Sequence, residues 1–284
     1  MIAIARQQWR GFRAATWLGF LINSNWVNPV IFAIYSVLRS LSAAFILVVM
    51  YRVISGNASG TAAYLAFLVT GAAFWSFVQY GFAGLSNGIT EDRGDYRMLK
   101  YVYISSLSFY VYLFGRALAQ LGSAVASTLV VLIVATIALR LPIDLFAVNY
   151  PLLIVGSAIA LVAVVAMAMA FGLFLLRMVD AHGYGELGAA FLYMISGAIF
   201  PITVLPTLLA TIASLIPLAY WMEIVRRSLL GTHAIRMFPT VSDGEIVLRL
   251  LATTIATVLV AFLVFGWADR SARGRGLIDR ESNW

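Results

Sequence analysis

The chain has 284 residues, of which 62% are hydrophobic and only 11% are charged, and its formal net charge is +7. Because a soluble domain carries about 25% charged residues, this composition excludes an ordinary soluble fold and predicts a polytopic membrane protein. The chain contains no cysteine, which excludes disulfide bridges, thiol catalysis and cysteine-based metal sites.

Residues 1–28 predict a basic helix that lies in the membrane interface. A helical stripe of cations surrounded by large aromatic residues is typical of such helices. The alternative is a signal peptide with its apolar core at 14–22, but no A-x-A-like cleavage site follows. The stripe consists of Arg6, Arg10 and Arg13, and the aromatic residues are Trp9, Phe12, Trp17 and Phe20.

The first span is predicted by signals for a helix start. Asn28 suits the N-cap position, and Pro29 suits the first helical turn, where the missing N–H of proline costs nothing. We therefore expect a span from Pro29 to about Arg52, with Arg39 inside it.

Long uncharged runs predict the later spans. An α-helix needs about 20 apolar residues to cross a bilayer, and backbone groups in lipid must be satisfied within a helix or a closed barrel. Residues 152–176 do not alternate as barrel strands would, so a helical bundle is expected. The uncharged runs are 53–90, 117–139, 145–176, 187–222 and 250–268.

Residues 91–100, between spans two and three, form the most highly charged short segment. Charges of both signs alternate there with Tyr96, Met98 and Leu99, a pattern that suits an amphipathic helix docking on a soluble partner. A solvated turn whose basic residues only set the topology is equally consistent with the pattern.

The uncharged run 187–222 can hold two spans, or one span and a hairpin that re-enters without crossing. The positive-inside rule places 11 basic residues inside and six outside for six spans and for seven alike. Charge therefore puts the N-terminus inside and leaves the side of the C-terminus open.

Three prolines favour the hairpin. Pro201, Pro206 and Pro217 each remove a backbone hydrogen bond and clash with the preceding turn, and broken helices are tolerated at membrane depth only where protein or water surrounds them. One span at about 187–204 and a re-entrant hairpin at 205–230 are therefore expected. The prediction is an all-α polytopic membrane protein with six spans and two cytoplasmic termini.

The sequence excludes several kinds of catalytic site. A phosphate-binding loop needs Gly-Lys-Ser/Thr, but the single lysine, Lys100, lies between Leu99 and Tyr101. Two histidines without any cysteine give no zinc-binding spacing.

One pattern resembles an enzyme motif. Residues 84–88 read G-L-S-N-G, and together with His182 they leave a rhomboid-like intramembrane serine protease as an alternative. The G-x-S-x-G motif requires a strand–turn–helix context, which is missing here. Small residues are ordinary where membrane helices approach each other, so helix packing is the favoured interpretation.

Two further segments carry a resemblance. Residues 196–206 hold a glycine, an aromatic–proline step and a leucine–proline step, and residues 216–220 add a later proline with a tyrosine. Gly115-Arg116 opens the third predicted span, which holds the uncharged run 117–139, and Arg116 is expected at the membrane interface. Over nearly the whole chain, this layout resembles the membrane-spanning permease of type 2 ATP-binding cassette (ABC) exporters of drugs or lipid-linked glycans. Residues 92–95 depart from the Glu-x-Gly-Thr type sequence of that family's coupling turn.

The resemblance implies one permease domain over 1–284 that is not an enzyme and binds no cofactor, metal or nucleic acid. ATP and magnesium would be bound by a separate ABC ATPase subunit, and a second permease copy or a paralogue would complete the complex in a bacterial plasma (inner) membrane. Within the domain, the resemblance implies an interfacial helix at 1–28, a cytoplasmic coupling segment at 87–107, an outer hairpin at 205–230 and a cytoplasmic tail at 269–284. The ATPase would dock on Glu91, Asp92, Arg93, Asp95, Tyr96 and Arg97.

The candidate substrate path is defined by an arginine and three aromatic residues. An arginine inside a span costs about 2.5–3.5 kcal/mol and usually faces a cavity or a partner, although snorkelling to the interface also explains it. An ion-coupled secondary transporter is the main rival function, but such carriers commonly need midplane acidic residues, and the predicted spans contain none. The path residues are Arg39, Trp75, Phe200 and Tyr220.

Overall fold

All regular elements in the part of the chain that the structure describes are helices. The computed structural model describes residues 2–24, 29–55, 61–105, 107–139, 141, 143–144, 146–178, 181 and 183–274. The α-helices are α1 (Ile2–Ser24), α2 (Pro29–Ser55), α3 (Thr61–Val78), α4 (Leu85–Gly94), α5 (Leu99–Ile104), α6 (Phe109–Leu139), α7 (Tyr150–Leu175), α8 (Tyr184–Ile195), α9 (Thr207–Leu215), α10 (Pro217–Leu230) and α11 (Asp243–Gly274). Short 3-10 turns lie at Ile202–Val204 and Gly231–His233.

By length and composition, four helical stretches of the described residues can cross a membrane. The pair α9 and α10 would be a fifth, but the two helices are bent by 79° at the break between them. The helical membrane bundle is therefore confirmed, whereas the number of six spans stays a prediction. The four stretches are Ala63–Gly94, Phe109–Leu139, Tyr150–Leu175 and Asp243–Ala268.

The first of these stretches is longer than the sequence indicated. A π-helical segment, Gln79–Gly84, joins α3 to α4, so the helix continues through Asp92 instead of ending before the charged residues. No proline interrupts it, and a single π-turn widens a helix without ending it.

α8 runs antiparallel to this long helix. Near the start of α8, the Asn87 side chain accepts a hydrogen bond from the Gly185 N–H at 3.0 Å. Further along α8, the rings of Trp75 and Tyr193 lie 4.5 Å apart. Residues later in α8 therefore contact residues earlier in the long helix, as in an antiparallel pair.

α10 is antiparallel to α7. Trp221 Nε1 donates to Ser157 Oγ at 3.1 Å, and farther along α10 the Ser228 carbonyl oxygen accepts from the Asn149 N–H at 3.0 Å. The end of α10 thus lies beside the start of α7. α10 is buried along its whole length, so it is a core element of the bundle.

α1 packs directly on α6. A Cβ at Gly115 would lie 2.7 Å from Ala15 Cβ, and one at Gly19 would lie 2.9 Å from Ala119 Cβ, so glycines let the two backbones approach closely. The contacts advance in the same direction along both helices. The helix predicted within 1–28 is present as Ile2–Ser24; its position in a membrane interface stays a prediction.

Candidate functional site

A buried ion pair joins the end of α4 to α6. Arg116 Nη2 lies 3.0 Å from Asp92 Oδ1, and the two side chains are 3% and 1% exposed. The Tyr112 hydroxyl donates a hydrogen bond to Asp92 Oδ2 at 2.6 Å, so each carboxylate oxygen has a partner. Since Tyr112 and Arg116 are four residues apart, α6 presents both from one face.

The next residue, Arg93, ties α4 to the end of α7. Its guanidinium donates to the Leu176 carbonyl oxygen at 2.5 Å and to the Met178 carbonyl oxygen at 3.0 Å. Carbonyl groups at a helix C-terminus lack intrahelical donors and carry partial negative charge, so a cation suits this position. With the Asn87–Gly185 hydrogen bond to α8, α4 is held by three neighbouring helices.

The exposed part of the segment is the turn after α4 together with α5. Arg97 has a φ of 50°, a left-handed conformation that costs a residue with a side chain about 1–2 kcal/mol. This conformation reverses the chain, and the Met98 N–H bonds back to the Asp92 carbonyl oxygen at 2.9 Å. We call the exposed side chains here the α4–α5 surface: Asp95, Arg97, Lys100, Tyr101 and Ile104.

The structure separates the six predicted docking residues into different environments. Asp92 is 1% exposed and bound on both carboxylate oxygens, so its side chain faces α6 and not the solvent. Arg93 points at the end of α7. Glu91 and Tyr96 are half-buried. Asp95 and Arg97 belong to the α4–α5 surface.

Arg116 was also misplaced by the sequence reasoning. Gly115-Arg116 was expected at the opening of the third span, where an arginine would sit in the interface. Because α6 already begins at Phe109, Arg116 lies two turns inside the helix and is buried against Asp92.

A second buried polar cluster lies where α10 ends and α11 begins, and the sequence reasoning missed it. Arg227 Nε lies 2.8 Å from Glu223 Oε1, and Arg227 Nη1 lies 2.7 Å from Asp243 Oδ1. Glu223 Oε2 accepts the Met237 N–H at 2.9 Å, and Arg227 also donates to the Phe238 carbonyl oxygen. The spacing of four residues between Glu223 and Arg227 on a helix was the available signal.

The neighbouring Arg226 ties α10 to α3 and to the chain after α8. Its guanidinium carbon lies 3.4 Å from the centroid of the Phe67 ring, a cation–π contact. Its Nη2 donates to the Ala198 carbonyl oxygen at 2.9 Å. A Cβ at Gly71 would overlap that carbonyl group and lie 2.8 Å from Arg226 Nη2, so the glycine makes room for this contact.

The four predicted path residues have separate surroundings. Trp75 is buried against Tyr193, Tyr220 is buried, and Phe200 is exposed. Arg39 lies in α2, and its side chain falls outside the described residues. None of the ring contacts among the described residues joins Trp75, Phe200 and Tyr220 to one another, so the structure does not assemble them into a single path.

The G-x-S-x-G pattern lies in helical backbone. Residues 84–88 span the end of the π-helical segment and the start of α4. Ser86 is fully buried, and its hydroxyl donates to the Ala168 carbonyl oxygen at 3.1 Å. A hydroxyl in this position serves helix packing, not nucleophilic attack. His182 lies outside the described residues.

Asp92 lies near the end of the 32-residue candidate stretch Ala63–Gly94, just beyond the uncharged run that predicted the second span. Glu223 is 0% exposed within the bent pair of α9 and α10. Both carboxylates are paired with an arginine, so each has a structural partner.

An apolar groove of about 570 Å³ lies between α7, α8 and α11. Pockets of 300–1,000 Å³ with mainly apolar walls hold drug-sized molecules. Its walls include Phe82, Met167, Phe171, Phe174, Phe191, Leu215 and Val260.

Comparison with known proteins identifies the family. Curated proteins give no match to the chain. A family model described as "ABC-2 family transporter protein" matches residues 20–268, which include the Asp92–Arg116 pair, the Glu223–Arg227 pair and the α4–α5 surface. Because this match extends over most of the 284 residues, the chain belongs to the ABC-2 family of membrane transporter proteins.

Proposed function

We propose that the chain is the permease subunit of an ATP-driven ABC exporter, and that a separate ABC ATPase subunit hydrolyses ATP with magnesium. Family membership supports the transport role. The observation that carries the proposal is the α4–α5 surface, an exposed charged turn that the Asp92–Arg116 pair and Arg93 fix to the bundle. A partner that pushes on a turn held in this way also moves the helices behind it.

The coupling path starts at the α4–α5 surface, where the ATPase docks. When the ATPase subunits close, this surface moves. Asp92 passes the movement to α6 through Arg116, and Arg93 passes it to α7. A second copy of the permease, or a paralogue, completes the pathway between the two bundles.

The proposed topology has six spans, formed by α2, the long helix through α4, α6, α7, α8 and α11, with α9 and α10 as a re-entrant hairpin. Arg226 contacts Ala198, before α9, and Arg227 contacts Asp243, at the start of α11. The chain therefore enters and leaves the pair of helices at neighbouring points, which favours a hairpin over a crossing. Both termini and the α4–α5 surface then lie in the cytoplasm of a bacterium, with the bundle in its inner membrane.

The proposed cargo is an amphipathic lipid-linked glycan or a hydrophobic drug-like compound. The apolar groove between α7, α8 and α11 supports this chemistry, because its lining is dominated by aromatic and aliphatic side chains. A charged metabolite would find few polar partners there.

The test is a charge swap that leaves the net charge unchanged. The permease is co-purified with its ATPase subunit, and ATP hydrolysis by the complex is measured in proteoliposomes. Asp95→Lys/Arg97→Glu should abolish stimulation of the ATPase, because it inverts the charges of the docking surface. The matched control is Glu245→Lys/Arg249→Glu, an exposed pair near the start of α11, which should keep full stimulation.

Two results contradict the proposal. Equal stimulation by the two charge-swapped variants would show that the α4–α5 surface does not dock the ATPase. Uptake driven by an ion gradient in liposomes that contain the permease alone would identify a secondary transporter instead.

A further inference from the structure

A groove of about 760 Å³ between α1 and α6 is lined by both cations and apolar side chains. It lies apart from the α4–α5 surface and from the apolar groove at α8. Its walls include Arg10, Arg13, Trp17, Phe20, Leu118 and Gly122.

The lining changes in character along the helices. Ala15 lies beside Gly115 and Gly19 beside Ala119, so α1 and α6 are parallel. Arg10 and Arg13 precede Ala15 and lie level with the first turns of α6, whereas Phe20 lies level with the residues around Gly122. The groove is therefore cationic at the end where α6 begins and apolar farther along.

Among the described residues, the lining of the groove contains no aspartate or glutamate. Residues 1–90 of the sequence also contain neither. Both arginines are exposed, and no ion pair within the described part of the chain engages them. Two guanidinium groups three residues apart on a helix suit a phosphate, which accepts paired hydrogen bonds from arginine.

We propose that this groove binds an anionic phospholipid, with the phosphate held by Arg10 and Arg13 and an acyl chain lying along Phe20 and Leu118. A free phosphate would use only the cationic end of the groove, whereas a phospholipid matches both ends. The bound lipid also adds contacts between α1 and α6. Gly19 approaches Arg116, whose Cδ would lie 3.5 Å from a Cβ at that position, so the lipid stabilises the helix pair beside the buried Asp92–Arg116 link.

The test measures lipid binding by the full chain in detergent micelles. Dibrominated phosphatidylglycerol quenches nearby tryptophan fluorescence, and Trp17 lies in the wall of the groove. Dibrominated phosphatidylcholine carries the same chains under a zwitterionic headgroup. The wild-type protein should bind phosphatidylglycerol at least tenfold more tightly, and inorganic phosphate should not displace the lipid.

Variants then separate the two ends of the groove. Arg10→Gln/Arg13→Gln should weaken phosphatidylglycerol binding about 25-fold, which corresponds to about 1 kcal/mol for each arginine near an anionic headgroup. The matched control, Arg6→Gln/Arg270→Gln, removes two exposed cations outside the groove lining and should change binding less than threefold.

The apolar end is tested by filling it. A Cβ at Gly122 meets no atom within 4 Å, so Gly122→Phe should occupy the groove without disturbing the fold and weaken lipid binding, whereas Gly122→Ala should not. Equal binding of the two lipids by the wild-type protein would overturn the proposal. So would equal losses in the Arg10/Arg13 variant and its control, or displacement of the lipid by inorganic phosphate.

Discussion

The buried link between Asp92 and Arg116 makes the sharpest prediction, because the two residues are coupled only through the folded structure. Arg116→Met leaves the Asp92 carboxylate with the Tyr112 hydroxyl as its one remaining partner among the contacts described above, at a site that is 1% exposed. Removing one member of a buried ion pair costs about 3–5 kcal/mol because a charge is left uncompensated. We expect a loss of about 4 kcal/mol in the free energy of unfolding.

Replacing the carboxylate alone should cost less. Asp92→Asn keeps the shape of the side chain and an oxygen that accepts the Tyr112 hydrogen bond, but it leaves Arg116 without its counter-charge, and we expect a loss of about 3 kcal/mol. The double variant contains neither charge. It should therefore lose about 4–5 kcal/mol, and not the sum of about 7 kcal/mol, which gives a coupling energy of about 2–3 kcal/mol.

The measurement is equilibrium unfolding of the full chain in mixed micelles of dodecyl maltoside and sodium dodecyl sulfate, followed by tryptophan fluorescence. Tyr112→Phe sets the scale for losing one hydrogen bond to a charged group, about 1.5–3 kcal/mol. Tyr110→Phe is the matched control, because Tyr110 lies on the same helix and is 43% exposed. If the double variant loses the sum of the two single losses within about 0.5 kcal/mol, the two residues are not coupled and the reasoning is refuted.

Three further predictions concern positions where the structure fixes the sign of the effect. Gly71→Ala should lower stability by about 1–3 kcal/mol because its methyl group would overlap the facing backbone, whereas Gly122→Ala adds its methyl group in open space and should be neutral or stabilising in the same unfolding assay. Arg97→Gly should have a higher thermal midpoint than Arg97→Ala, because both remove the side chain and only glycine relieves the φ of 50°; equal midpoints of the two variants would contradict this. Glu223→Gln should cost about 3 kcal/mol and Asp243→Asn less than about 1 kcal/mol, because the two carboxylates are 0% and 53% exposed, and equal losses would be the contrary result.

Signals that act locally along the chain were sufficient to predict the start of α2 and the breaks at Pro206 and Pro217. Pro29 marks the start of α2, as expected for the first turn of a helix. Pro217 similarly begins α10, and Pro206 immediately precedes α9. Each proline acts on its own backbone, so its effect does not depend on what the rest of the chain does.

The buried polar clusters could not be predicted in the same way. Asp92 and Arg116 are 24 residues apart, and their contact depends on α4 and α6 lying side by side. Sequence reasoning ended the second span before the first acidic residue, because charges usually mark the end of a span. The structure continues the helix to Gly94, and Arg116 on the neighbouring helix pairs with the Asp92 carboxylate there. The end of α4 therefore could not be predicted without the contact between Asp92 and Arg116.

Arg226 and the Asp92–Arg116 pair attach different parts of the long helix of α3 and α4 to their neighbours. Arg226 holds α3 near Phe67, together with the chain after α8 and with α10. Asp92 and Arg93 hold α4 to α6 and α7. The π-helical segment Gln79–Gly84 lies between these attachments, and it interrupts the regular ladder of hydrogen bonds at that point. Arg226 holds α3 and Asp92 holds α4. A movement of α4 relative to α3 would therefore be taken up most easily in the π-helical segment between them.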